Sequence, residues 1–220
     1  LLAATRVYVS AIEGAGSGGW GPSVRTVVDC AIDDVRALED VVRAGKVRYL
    51  GISNHPAWQV MKANAIAEKK GWTKFVALQN YYSIAGRDIE RELIPLAESE
   101  GLALMPWSPL AGGFISGKYS RTTQKAGNSR RDEFDFPPVN KERAYDIIDV
   151  LADIAKEYDT SVARIALAWM LQKKPVTSII IGAKNNEQLA DNIASTLVKL
   201  SGEEMEKLDI PPVSEFTQMI

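Results

Sequence analysis

The chain has 220 residues, 46% of them hydrophobic and 25% charged, which is the make-up of a globular domain long enough to bury a large core. Its net charge of −2 supplies no basic field for nucleic acid or an anionic membrane surface. No apolar run approaches the roughly 20 residues that span a bilayer, and one His with one Cys gives no ligand-spaced metal cluster.

Residues 1–10 are interrupted by Thr5 and Arg6 and lack a charged start, so they make a poor signal peptide. Residues 5–12 alternate weakly, as a strand does, and the glycine-rich residues 14–22 break the pattern. From Val24 to Val42 apolar residues recur at three- and four-residue steps, which predicts a helix stopped by Gly45. Cys30 lies in that apolar pattern with Val27, Val28 and Ile32 and reads as a core thiol. A lone Cys forms no internal disulfide, so a reducing, cytoplasmic setting is expected.

An alternating rhythm follows. Strands are expected at 47–52, 75–79, 102–106 and 178–181, and helices at 56–71, 87–100, 141–158, 162–173 and 187–197. Ser201 with Glu204 reads as a capping box opening a last short helix. Trp58 and Trp72 read as packing residues. The polar connection 120–139 is long enough to be functional or disordered, and its Phe134 and Phe136 either line a pocket or anchor the loop. Strand–helix alternation implies parallel pairing, in an open doubly wound sheet or part of a closed (β/α) barrel.

The segment Trp107-Ser108-Pro109-Leu110-Ala111-Gly112-Gly113 stands where the 102–106 strand ends. An aromatic face stacks on a flat heterocycle, and a Ser/Gly-rich loop offers backbone N–H groups to phosphate. Two readings stand side by side: a dinucleotide site, or a buried Trp followed by a Pro/Gly turn.

Four motifs carry a family resemblance. Val42-Arg43-Ala44-Gly45-Lys46-Val47-Arg48-Tyr49-Leu50-Gly51-Ile52-Ser53-Asn54 resembles the aldo-keto reductases at their fifth barrel strand, and Gln79-Asn80-Tyr81-Tyr82-Ser83 at the sixth. The Trp107–Gly113 segment is similar to the loop after strand seven. Ile180-Ile181-Gly182-Ala183-Lys184, with Glu187-Gln188-Leu189-Ala190-Asp191-Asn192, is similar to strand eight and its helix. The resemblance implies an α/β fold of the (β/α)8 TIM-barrel type, here only its second half (strands five to eight) plus the weak N-terminal strand. It divides the chain into an atypical segment, 1–30, and a partial barrel, 31–220.

The resemblance further implies NADPH, or NADH, and a small-molecule aldehyde or ketone reduced by hydride transfer. Ser53, Asn54 and Gln79 would bond the nicotinamide carboxamide, which needs both donors and acceptors. Trp107 would stack on the nicotinamide, and Ser108, Pro109, Leu110 and Gly112 would hold the pyrophosphate. Gly182, Lys184, Gln188 and Asn192 would surround the adenosine end. Lys184 would suit a ribose 2′-phosphate, whereas Asp191 would repel one, so NADP and NAD both remain open.

The family's catalytic Asp, Tyr, Lys and His precede its fifth strand, and their counterparts are not found here. His55 follows the Ser53-Asn54 pair and takes no catalytic role, and Tyr8 has no partner Lys or Asp upstream. The chain is therefore expected to be truncated, and two copies are expected to bury the open sheet edges as a C2 homodimer. A non-catalytic nucleotide- or partner-binding relic of the fold is the alternative. A Rossmann dehydrogenase ranks behind both: Gly14-Ala15-Gly16-Ser17-Gly18-Gly19 matches G-x-G-x-x-G, but Trp20-Gly21-Pro22 interrupts the helix that should follow.

Overall fold

The computed structural model describes residues 35–123, 130–133 and 135–209. The expectations for residues 5–30, Tyr8 and Cys30 among them, and for Phe134 lie outside the described residues. The chain divides into two units: residues 35–79 with 91–104, and residues 80–90 with 105–209.

The first unit follows the expected rhythm. Residues 35–43 are helical (α1), followed by β1 (Leu50–Ser53), α2 (Ala57–Lys70), β2 (Phe75–Gln79), α3 (Leu93–Glu100) and β3 (Ala103–Leu104). The three strands pair in parallel in the order β1-β2-β3, with Ser53 opposite Gln79 and Leu78 opposite Leu104. Leu50, Leu78, Leu104 and Val60 are buried, so the apolar strand residues and one α2 face supply the core. Asn64 of α2 fastens that helix to the sheet, accepting from the Phe75 N–H at 2.9 Å and donating to the Phe75 carbonyl at 3.2 Å. Gly71 ends α2 at φ 66°, a left-handed position that suits glycine, and its amide returns to Ala67 and Glu68.

The expected helix over 87–100 is split. A 3₁₀ turn at Asp88–Glu90 belongs to the second unit, and the α-helix starts only at Leu93. Trp58 is half exposed, at 49%, rather than packed.

The second unit is mostly helical. A 3₁₀ segment (Ala111–Ser116) precedes the short α4 (Arg130–Glu133), then α5 (Lys141–Glu157), α6 (Val162–Leu171), α7 (Asn186–Ala194) and α8 (Gly202–Asp209). Asn140, Ser161 and Asn185 cap α5, α6 and α7 through their side chains. The capping box opens α8 as expected: Ser201 Oγ accepts from the Glu204 N–H, and Glu204 accepts from the Ser201 N–H. Ile147 and Leu151 of α5 and Ile165, Leu167 and Trp169 of α6 are buried at 1% exposure or less and form the core. The strand expected at 178–181 is reduced to one parallel bridge between Ile180 and Trp107.

Candidate functional site

In the first unit, the ends of β1 and β2 bring Ser53, Asn54 and Gln79 together. The Ser53 hydroxyl donates to the Gln79 carbonyl at 2.7 Å, and the Asn54 amide reaches the same oxygen at 3.3 Å. Asn54 is exposed with φ 57°, a left-handed conformation that Asn tolerates better than most residues. His55 donates Nδ1–H to the Ser53 carbonyl at 2.7 Å, and its ring braces this strand end.

In the second unit, parallel bridges run from Tyr81 to Trp107 and from Trp107 to Ile180. The Trp107 N–H donates to the Asn80 carbonyl at 3.0 Å, and the Ile180 N–H to the Pro106 carbonyl at 2.9 Å. The Trp107 loop and the Gly182 turn therefore leave one ladder in the same direction.

The Trp107 loop is folded tightly on itself. Ser108, Ala111, Gly112 and Gly113 all have positive φ. The Ala111 amide donates to Ser108 O and the Gly113 amide to Leu110 O, both at 2.8 Å. Gly112 is obligatory here, because a Cβ at that position would lie 2.5 Å from the Phe136 carbonyl oxygen. Pro109 is buried, whereas Gly112 is exposed.

Among the described residues, Trp107 meets Tyr81, 5.2 Å away and tilted by 40°, and Phe136, stacked at 5.9 Å and 14°. Phe136 thus packs on the ring that the sequence singles out for stacking. The polar run around it disguises this role, and only the placement of an aromatic in a long connection hints at it.

The third set gathers at the start of α7. The Gln188 side chain accepts from the Lys184 N–H at 2.9 Å, and the Gln188 amide donates to Asn185 Oδ1 at 2.8 Å. The Asn192 side chain is buried and donates to the Gly182 carbonyl at 3.4 Å. Gln188 is thus tied to Lys184, and Asn192 to Gly182. Asp191 does not stand as a bare negative charge beside them. It accepts from Ser161 Oγ at 2.5 Å and pairs with Arg164 at 2.5 and 3.0 Å.

Two tyrosines lie nearby in this unit. Tyr82 is buried and donates its hydroxyl to Glu90 at 2.6 Å; burial first, then that carboxylate, pushes its pKa far upward. Burial also raises Tyr81, whose hydroxyl sits 3.0 Å from Ser83 Oγ. Among the described residues, no group of three His, Cys, Asp or Glu is placed to hold a metal ion.

Comparison with known proteins identifies the family. The aldo/keto reductase family description matches residues 21–210. Over 180 residues the chain is 36% identical to versiconal hemiacetal acetate reductase of Aspergillus parasiticus, covering 81% of this chain and 52% of that protein. Norsolorinic acid reductase of Aspergillus flavus is 37% identical over 177 residues, covering 80% of this chain and 43% of that protein. The solved structure of the thermostable aldo-keto reductase Tm1743 with the inhibitor epalrestat superposes with a TM-score of 0.63 at 28% identity, covering 83% of this chain and 55% of that one. The chain belongs to the aldo/keto reductase family and has an α/β fold similar to that of a solved member. It spans about half the length of these relatives.

Proposed function

We propose that this chain carries the cofactor-binding residues of an NAD(P)H-dependent reductase that transfers hydride to an aldehyde or ketone. In this reading β1, β2, β3 and the backbone at Ile180 take the places of strands five to eight of a (β/α)8 barrel. The observation that carries it is the Tyr81–Trp107–Ile180 ladder, from which the Ser/Gly loop and the Gly182 segment leading into α7 both depart. Ligand sites of parallel α/β folds gather beyond such strand ends.

The residues present fit the cofactor. Ser53, Asn54 and Gln79 offer donors and acceptors suited to a carboxamide. Trp107 offers a ring to a heterocycle, the positive-φ loop of Ser108, Leu110 and Gly112 suits a pyrophosphate, and Lys184 suits a 2′-phosphate. Because Arg164 and Ser161 compensate Asp191, the local charge balance favours NADPH over NADH. The bound cofactor supplies the hydride, and the protein's part is to bind and orient it. A second reading, a nucleotide-binding module without reductase chemistry, is favoured by Tyr82, whose hydroxyl is committed to Glu90.

Calorimetric titration of the purified chain with NADPH tests the first part. Micromolar binding that is lost in Trp107→Ala is the expected result, and absence of binding refutes it. Reduction of simple aldehydes by the loaded chain then separates the reductase from the module.

A further inference from the structure

We propose that Arg131 is a positioning residue that sets the shape of the Ser108–Gly113 loop from behind, and that pyrophosphate binding depends on it. The inference rests on the reading above. The Arg131 side chain is only 3% exposed, although it belongs to a run of four charged residues. Long charged side chains are seldom buried unless they are partnered, and this one is. Its Nη1 donates to the Ala111 carbonyl at 2.6 Å and its Nη2 to the Pro137 carbonyl at 2.9 Å. Nη2 also pairs with Asp135 at 2.7 Å. The guanidinium lies 5.1 Å from the centre of the Phe114 ring, whose other neighbours include Tyr119, stacked at 5.1 Å.

These contacts join two pieces of chain with no regular pairing of their own. One is the loop, in which Ala111 is held at φ 50° although it is not glycine. The other is the stretch 135–137, which carries Phe136 onto Trp107. The two backbones are so close that the Phe136 carbonyl fills the space a Gly112 Cβ would need. A planar fork with donors on two nitrogens bonds both carbonyls at once, which a single ammonium on a flexible stem does not reproduce. Arg131 therefore acts on a ligand through the Ala111 carbonyl and the left-handed turn that follows it.

The test titrates the chain with NADPH and with 2′-AMP, which carries the adenosine and 2′-phosphate without a pyrophosphate. Arg131→Met is expected to weaken NADPH about tenfold, the equivalent of one charge-assisted hydrogen bond, while 2′-AMP binds within about twofold of wild type. Arg131→Lys is expected to recover little of the loss. Phe136→Leu, which leaves the fork intact, is the companion variant should Arg131→Met not fold; it is expected to keep 2′-AMP binding and weaken NADPH.

Equal loss of both ligands in Arg131→Met, or full rescue by Lys, overturns the proposal by showing a merely structural or purely coulombic role. If wild type binds NADPH and Arg131→Met binds it equally, the proposal fails while the proposed function stands. If wild type binds neither ligand, the proposed function fails. Hydrogen exchange of residues 107–119 then decides the positioning claim: faster exchange in Arg131→Met supports it and unchanged exchange overturns it.

Discussion

Removing the Asp209 carboxylate should destabilise the second unit more than an ordinary surface substitution. Asp209 is the last residue of α8. Its Oδ1 accepts from Trp169 Nε1 at 2.8 Å, and its two oxygens accept from Lys173 Nζ at 2.6 and 2.9 Å. Trp169 is fully buried, with Lys173 and Arg87 at 4.5 and 5.5 Å from its ring centre. Asp209→Ala leaves the indole N–H without its partner inside the core, at a cost of about 1–3 kcal/mol. The ion pair adds less, because Asp209 is 37% exposed and Lys173 18%, and a pair so placed contributes about 0–1 kcal/mol. The Arg87 bond to the Asp209 backbone carbonyl survives the substitution. The total is about 1–4 kcal/mol, which for a chain of this length lowers Tm by about 2–16 °C. Thermal unfolding followed by circular dichroism measures it, with Trp169→Phe and the double variant completing a cycle. A coupling of about 1 kcal/mol is expected from the lost N–H bond. Additivity within about 0.3 kcal/mol would refute the reasoning, since the indole bond would then not be the source of the loss.

Asn64→Ala removes both bonds that tie α2 to Phe75 and leaves two buried backbone groups short of partners. A loss of about 2–3 kcal/mol in urea unfolding is expected. Gly112→Ala combines a left-handed alanine with a Cβ 2.5 Å from the Phe136 carbonyl; its Tm should fall, and fluorescence should report loss of the Trp107–Phe136 stacking. Glu39 accepts from the Thr73 N–H at 2.7 Å and from Arg43 at 2.8 Å. The Thr73 backbone bond chiefly, then Arg43, holds its carboxyl below the ordinary 4.5. A depressed folded pKa means the unfolded chain takes up the proton first, so this stabilisation is present above pH 4.5 and fades as pH falls through the folded value. In acid titrations Glu39→Gln should show a shallower loss of stability below that pH than wild type, and parallel curves would count against it.

How much of this could be read from the chain depends on the range of the interaction that decides each feature. Helix stops and caps are local chemistry, so Gly71, Gly101 and the Ser201–Glu204 box stand where the sequence places them. The 75–79 strand was equally legible, since β-branched and apolar residues there meet a neighbour on each side. The 178–181 strand has the same composition, but strand structure is a property of the ladder and not of the segment. Its described backbone pairing is the single bridge at Ile180. The 87–100 helix failed for a different reason. Asp88–Glu90 is turned to serve a tertiary network in which Glu90 takes bonds from Tyr82 and Arg87, and no periodicity reports that.

The candidate site divides along the same line. The residues proposed for it form short contiguous motifs, and each motif is brought together by contacts within a few residues or across one strand pair. What sets their shape is not contiguous. Arg131 and Phe136 lie some twenty residues or more from the loop positions they touch, inside a run whose charge suggests a solvated connection. Asp191 reads as a bare negative charge beside the proposed phosphate site until Arg164, on another helix, is seen to compensate it. Burial is the signal that separates such residues from their neighbours. A charge removed from water must be partnered, so a buried arginine in a polar run marks the place where distant backbone is being held.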